Sequence, residues 1–323
     1  MKVCILGNGL TSLSLAKTLI NQGITVDLIS NYTKNVYSKL QTIGISKSNV
    51  DFFNSHILNI NKFLWGIKKI NIYSENLKDR EILNFGNNNE NVFSIVKNFE
   101  LYDYLLKKLK KDKSFKIKKN KFFFNKDYEL IINCDPNHLV TKKFFYKNLK
   151  KNYYSYGHIT IIKHESFTNN VATQIFTKKG PIAFLPISRT ETSIVYSARG
   201  VKKISEEELK EMVKKFSKKY QIKKISKIRS FKLSSSNLRT YFHKNILAFG
   251  DLLHRLHPLA GQGFNMVARD IKVFTKLISF RKSIGIQIDS SIFEEFEKKT
   301  RSTNYLFSSG VDFIYEFFNI ESK

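Results

Sequence analysis

Two short glycine-bearing stretches, one near each end of the chain, carry residue types and spacings that could do chemistry. The first is Gly7-Asn8-Gly9-Leu10-Thr11-Ser12, which follows the apolar run Val3 to Leu6 and opens a helical pattern. Gly7 permits a tight turn, and Gly9 lets the backbone approach a pyrophosphate. The helix start at Leu10, Thr11 and Ser12 then offers unpaired N–H groups and the positive end of a dipole to phosphate oxygens. Ser12 stands where a third glycine or an alanine is usual, and it is small enough for close helix-to-strand packing. Ser30 and Asn31 end the second apolar run, where an acidic residue normally takes both ribose hydroxyls; these two offer only neutral hydrogen bonds. The chemistry implied is the holding of a dinucleotide. The plainer alternative is a strand-to-helix turn with no ligand.

The second stretch, residues 250–270, reads GDLLHRLHPLAGQGFNMVARD. It lies between the apolar run Ile246 to Phe249 and a helical pattern carrying Met266, Val267, Ile271, Phe274 and Leu277. Its spacing is Gly-Asp, six residues, Pro, two residues, Gly-Gln-Gly, one residue, Asn, which is too long and fixed to arise readily by chance. The alternative is that Gly261-Gln262-Gly263 merely starts a helix. His254 and His257 lie three apart, but no third ligand accompanies them, so no metal site is expected. No carboxylate or histidine is marked as facing a substrate, and no catalytic residue is nominated.

Both stretches need strands and helices to hold them. Val3 to Leu6, the helical repeat Leu13, Leu15, Ala16, Leu19 and Ile20, and Ile24 to Ile29 predict a βαβ unit with parallel strands. Ser48 to Ile60 is expected to be helical, Ile67 to Tyr73 a strand, Leu101 to Leu109 a helix and Leu130 to Asn133 a buried strand. From Tyr153 to Ser197 the texture turns β-rich, with runs at Ile159 to Ile162, Ala172 to Phe176, Ile182 to Leu185 and Ser193 to Tyr196, and Gly180-Pro181 read as a turn. Ser205, with Glu208 placed for a capping box, begins a helix expected to reach about Tyr220.

Composition sets the outer limits. A chain of 323 residues with 42% hydrophobic and 14% aromatic content can bury a large core. Its 55 Lys+Arg against 27 Asp+Glu give a formal charge of +28, which raises the question of nucleic acid or an anionic membrane. No aromatic-rich basic module or zinc-finger spacing accompanies the charge, so no nucleic-acid partner is expected and a membrane-surface contribution is preferred. Two cysteines, Cys4 and Cys134, give no disulfide framework, which fits a reducing cytoplasm. The first twenty residues read as mature structure, and no run approaches the ~18 apolar residues of a membrane span.

The second stretch resembles the flavin-ribityl motif of the para-hydroxybenzoate-hydroxylase-like flavoprotein monooxygenases, and HPLAGQGFN is similar to their ubiquinone-biosynthesis hydroxylases. Ala172 to Pro186 and Val96-Lys97-Asn98 resemble that subfamily's substrate-sheet and second flavin-contact segments, so the likeness runs from Met1 to about Phe318. The resemblance implies FAD as cofactor, NAD(P)H as electron donor, O2 as co-substrate and hydroxylation of the aromatic ring of a polyprenylated phenol. It implies that Asp251 bonds the ribityl hydroxyls, that Gly250 lets the strand approach the cofactor and that Pro258 shapes the loop beside the isoalloxazine. Gly261, Gln262, Gly263, Phe264 and Asn265 would then meet its pyrimidine edge, and Asn98 would add a contact from elsewhere in the chain. Asp135-Pro136 stands where the family has Asp-Gly, and the arginine usual after the second strand is absent from Tyr37 to Ser46, Lys39 being the nearest cation.

The implied fold is α/β: a Rossmann-like FAD-binding domain, a parallel sheet with helices, with an inserted antiparallel-sheet substrate domain. The expected division is 1–60, 91–150 and 233–285 for the first, 61–90 and 151–232 for the second, and a C-terminal helical segment at 286–323. So greasy an implied substrate adds the expectation that this cytoplasmic enzyme approaches the inner membrane face as a peripheral protein, beside other ubiquinone-biosynthesis proteins. Phe307, Val311, Phe313, Ile314, Phe317 and Phe318 either dock on that surface or pack as a last core helix. Two rival readings stand: a different FAD-dependent oxidoreductase, and a degenerate, non-catalytic scaffold subunit of a hydroxylase complex.

Overall fold

Short apolar runs bounded by glycine become interior strands here because both of their faces are covered. Strand β1 (Lys2–Leu6), helix α1 (Leu10–Asn21) and strand β2 (Thr25–Ile29) form the first such unit, with β1 and β2 parallel. The computed structural model describes residues 1–30, 37–75, 81–86, 90–119, 128–200 and 202–320. Next come β3 (Thr42–Ser46), α2 (Lys47–Phe52), β4 (Trp65–Ile67), β5 (Lys69–Ser74), β6 (Glu81–Gly86) and β7 (Phe93–Lys97). The helix expected from Ser48 starts at Lys47 and passes at Phe53 into a wider turn that ends at Ile57. The single strand expected from Ile67 to Tyr73 is two, β4 and β5, parted at Lys68, whose N–H bonds Asn170 O instead of a ladder partner (2.9 Å).

Helix α3 (Asn98–Leu109), β8 (Phe115–Lys118), β9 (Leu130–Asn133) and α4 (Leu139–Phe144) lead into the β-rich middle. That region holds β10 (Asn148–His164), β11 (Val171–Thr177), β12 (Gly180–Pro186), β13 (Glu191–Arg199), α5 (Glu206–Phe216), β14 (Ile222–Ile225) and β15 (Arg229–Leu238). The chain then returns through β16 (Phe242–His243), β17 (Ile246–Ala248) and β18 (His254–Arg255) to the long helices α6 (Gln262–Ser283) and α7 (Ile292–Ile320).

These elements form a mixed α/β fold. One sheet has the order β16-β17-β9-β1-β2-β8 and is parallel apart from the β16–β17 pair. A second sheet runs β18-β15-β10-β13-β12-β11-β5-β6, with β14 also on β10; all its pairs are antiparallel except β11 with β5. A small antiparallel sheet, β3-β7-β4, stands between. The first and last parts of the chain thus build one parallel sheet, and the β-rich middle is inserted between them.

Gly180-Pro181 opens strand β12, and the turn itself lies at Lys178-Lys179. Gly180 is demanded by close approach: a Cβ there would fall 2.0 Å from Ser197 O. Helix α5 has the capping box expected of Ser205 and Glu208 but stops at Phe216, short of Tyr220. Its Leu209 and Val213 cover Ile162, Ile182 and Ile194 on one face of the large sheet. Under the other layer, Phe249, Phe274, Phe293 and Phe296 form a fully buried aromatic cluster that joins the end of β17 to α6 and α7.

Candidate functional site

The two glycine turns meet. Gly250 has φ +68, and a Cβ there would lie 2.6 Å from Thr11 Cγ2, so the second turn rests on the first residues of α1. At the other end of α1, Gln22 Nε2 donates to Thr275 O (3.1 Å) and to Ser279 Oγ (2.7 Å) of α6. The end of α1 thus packs against the second half of α6. Neither helix has a side-chain N-cap bond, and neither has an acidic residue in its first turn. Helix starts of this kind favour an anion or a ring with developing negative charge, although the first N–H of α1, that of Leu10, is already taken by the Tyr37 hydroxyl (2.9 Å).

Each expected site residue has a definite place. Gly7, at φ +105, turns the chain where a Cβ would come 3.3 Å from Asp135 Cβ; Asp135 is held by its own turn, its Oδ1 accepting from Asn137 N (2.8 Å). A Cβ on Gly9 would meet the Tyr37 hydroxyl at 3.3 Å, and that hydroxyl accepts from Leu10 N (2.9 Å). Ser12 is buried against the sheet, and Ser30 is buried at the end of β2 with its N–H on Lys118 O (3.2 Å). Asn31 lies outside the described residues. Asp251 is exposed to solvent; its charge is felt by Tyr37, whose hydroxyl is pushed up to about 12 chiefly by burial, and by Cys134, likewise raised to about 12 chiefly by burial.

Around the second helix start, Gly261 caps α6 at φ +65, with its Cβ position 3.3 Å from Gly44 N of β3. A Cβ on Gly263 would meet nothing within 4 Å, so the backbone there is open to approach. Gln262 is half-buried, and the Phe264 ring lies 6.1 Å from that of Phe53. The Asn265 side chain is taken up by the protein: it donates to Gly44 O (3.1 Å) and accepts from Ser46 N and Asn49 Nδ2 (both 2.9 Å). It therefore ties the α6 start to β3, a role the spacing alone did not reveal.

A cavity of about 160 Å³ lies where these elements meet. Pro258, Gly261, Gly44 and Asn98 form one side, and Ile159, Ala183, Val195 and Phe231 of the large sheet form the other. Its size, below the ~300 Å³ at which drug-sized pockets begin, suits one ring system. Asn98 is 7% exposed, and its Oδ1 is buried without a hydrogen-bond partner, an acceptor that would welcome a donor in the cavity. Sequence reasoning misses Tyr37 and Gly44 as parts of this site. Only Gly44, a glycine inside the alternating run Thr42 to Ile45, carries a usable signal, since glycine within a strand often marks close backbone approach.

The two histidines face different partners. His254 Nε2 lies 2.5 Å from Asp270 Oδ2, and Asn304 Nδ2 donates to Asp270 Oδ1 (3.1 Å), which fastens the second turn to α6 and α7. His257 sits between the rings of Tyr153 and Tyr315, and burial brings it down to about 3, so it is neutral.

Comparison with known proteins agrees with this arrangement. A family model described as an FAD binding domain matches residues 157–284. The mitochondrial ubiquinone biosynthesis monooxygenase COQ6 of Danio rerio is 26% identical over 227 residues, covering 57% of this chain and 47% of that protein. The 3-demethoxyubiquinol 3-hydroxylase of Escherichia coli is 27% identical over 153 residues, covering 45% of this chain and 39% of that one. The chain thus spans less than half the length of these two relatives. Among solved structures, PqsL of Pseudomonas aeruginosa, a probable FAD-dependent monooxygenase, superposes with a TM-score of 0.79 at 13% identity, over 99% of this chain and 97% of that one. The likeness to PqsL speaks for the fold alone. The parallel sheet is of the Rossmann-like FAD-binding kind, and over the segments matched the chain is similar to FAD-binding domains and to the ubiquinone-biosynthesis hydroxylases.

Proposed function

We propose that the chain binds one FAD across both glycine turns and hydroxylates the aromatic ring of a polyprenylated phenol in ubiquinone biosynthesis, with NAD(P)H as electron donor and O2 as co-substrate. The observation that carries this reading is the contact of Gly250 with Thr11, which rests the second glycine turn on the start of α1, with a ring-sized cavity beside Pro258 and Gly261 at the start of α6. In this reading residues 1–60, 91–150 and 233–285 hold the cofactor, 61–90 and 151–232 cover the substrate, and 286–323 are the C-terminal segment that contains α7 (Ile292–Ile320).

The residues present fit FAD, since the buried Asn98 Oδ1 lacks a partner and Gly263 leaves open space beside the backbone at the start of α6. Gly7, Gly9, Leu10, Thr11 and Ser12 would hold the pyrophosphate, Ser30 and Asn31 the ribose, and Gly250 and Asp251 the ribityl chain. Pro258, Gly261, Gln262, Gly263, Phe264 and Asn98 would surround the ring, with Asn265 holding the α6 start in place. When bound, FAD supplies the electron transfer from NAD(P)H and the activation of dioxygen. The protein's own part is to align a phenol against the ring, to stabilise negative charge at the α6 N-terminus and to keep water out with Ile159, Ala183, Val195 and Phe231.

We further propose that α7 rests on an anionic membrane surface. Its Val311 and Tyr315 are buried against the large sheet and Phe318 stacks on Phe176, whereas Leu306 and Phe313 are 70% and 69% exposed, with Phe317 and Ile314 beside them. Core packing thus accounts for one face of the helix, and the docking proposal rests on the exposure of the other. Among the described residues, no helix is long and apolar enough to cross a membrane.

The reaction is tested with labelled dioxygen, NAD(P)H and a prenylated phenol. Incorporation of one labelled oxygen into the ring supports the reading; substrate oxidation without label would point to a dehydrogenase or oxidase and end the hydroxylase assignment.

A further inference from the structure

The large sheet has a second concave site, on the face turned away from the candidate flavin cavity. Ala183 faces that cavity, whereas its neighbour Phe184 and the β11 residues Thr173 and Ile175 face the other way. There, at the end of α5, lies a cavity of about 600 Å³. This volume is in the range of about 300–1,000 Å³ usual for small-molecule sites. Nothing in the flavin reading uses it.

Its lining is chemically one-sided. Tyr73, Phe167, Phe216 and Tyr220 supply aromatic walls, and Lys215, Lys218 and Lys219 supply cations. No aspartate or glutamate is among its described lining residues. Lys215 reaches Glu75 just outside (2.7 Å), while the nearest acceptors of Lys219 are the neutral Val171 O and Thr173 Oγ1, both at 3.4 Å. Asn71 and Asn169 also line the site, and the Oδ1 of each lacks a hydrogen-bond partner. Both amide NH2 groups are already committed, that of Asn71 to the Tyr73 hydroxyl (3.1 Å) and that of Asn169 to Ser188 O (2.9 Å) and Thr192 Oγ1 (3.0 Å). What the site lacks is therefore negative charge and a hydrogen-bond donor, and what it offers is flat apolar surface.

We propose that this cavity binds a small planar aromatic anion, a carboxylate or sulfonate that also carries an N–H or O–H donor. The anionic group meets Lys218 and Lys219, the ring lies among Tyr73, Phe167 and Phe216, and the donor serves an asparagine oxygen. Charge-assisted contacts and burial of one aromatic face are the sources of affinity.

The probe is 8-anilinonaphthalene-1-sulfonate, an aromatic sulfonate with an N–H, titrated into FAD-saturated protein by fluorescence; N-phenyl-1-naphthylamine, the same rings without the sulfonate, is the neutral control. The expected result is one saturable site, bound at least tenfold more weakly by the Lys218→Met, Lys219→Met double variant and at least tenfold more weakly by wild type when the sulfonate is missing. The lysines are exposed, so the double variant keeps its circular dichroism spectrum and its flavin absorbance; Phe216→Ala provides a second weakening independent of charge. Unchanged dye affinity in the double variant, equal binding of the neutral control, or displacement of the dye by further FAD would each overturn the proposal. The same titration on FAD-free protein separates the two questions, because the site does not require the flavin.

Discussion

At the scale of single residues, the site depends on places where a side chain would not fit. Gly250 combines φ +68 with a Cβ position 2.6 Å from Thr11 Cγ2, so Gly250→Ala adds backbone strain and forces the second turn away from α1. The backbone cost alone is about 1–2 kcal/mol. We expect Gly250→Ala to weaken FAD binding at least tenfold in a fluorescence-quench titration and Thr11→Ser, which removes the clashing methyl, to restore part of the loss; equal FAD affinity in Gly250→Ala would show that the contact is irrelevant to the cofactor. His257 makes a second residue-scale prediction. Burial holds it at about 3, below the ~6.5 of an unfolded histidine, so the unfolded chain binds the extra proton as pH falls. Its contribution is fully present above about pH 6.5 and declines by up to about 1.4 kcal/mol per unit on acidification from there. Denaturant unfolding between pH 7 and 4 should therefore show a shallower loss for His257→Phe than for wild type, and parallel curves would contradict the assignment.

At the scale of elements, the strongest periodicities in the sequence correspond to the parts that carry the site. The first βαβ unit, the capping box of α5 and the helix after Gly263 are local patterns, and each forms where it reads. What stayed illegible depends on partners distant in sequence. The tie of Asn265 to Gly44, Ser46 and Asn49 spans more than two hundred residues, and the Tyr37 hydroxyl on Leu10 comes from a stretch without periodicity. Gly180 reads as a turn residue because glycine's two uses, turning and permitting close approach, look alike in a sequence. Helix α6 is held by the aromatic cluster under it, in which the Phe274 ring lies 6.1 Å from Phe249, 6.4 Å from Phe293 and 5.6 Å from Phe296. Phe274→Ala should cost about 3–5 kcal/mol of unfolding free energy, measured by urea denaturation; a loss below 1 kcal/mol would mean that α6 is not anchored there.

At the scale of the molecule, composition and architecture point the same way. The net charge of +28 and the exposed apolar face of α7 together suit an anionic bilayer, where each near-surface cation contributes about 1 kcal/mol. Cutting the helix away would expose the sheet beneath Val311, Tyr315 and Phe318, so the clean test alters only its outer face. Leu306→Ser, Phe313→Ser, Phe317→Ser should keep the fold and lose most of its sedimentation with phosphatidylglycerol vesicles, while added salt weakens the wild type; undiminished sedimentation of the triple variant would remove α7 from the membrane account. In the parallel sheet β17, from the last third of the chain, lies beside β9, and β9 beside β1; the return to a strand, glycine and helix pattern near Ile246 hints that both parts share one unit, but no local pattern states which strands become neighbours.

The central claim is that the two glycine turns hold one dinucleotide between them, and FAD itself tests it. Purified protein incubated with FAD and passed through a desalting column should retain flavin absorbance at one FAD per chain. Colourless protein that leaves the fluorescence of added FAD unquenched would contradict the account.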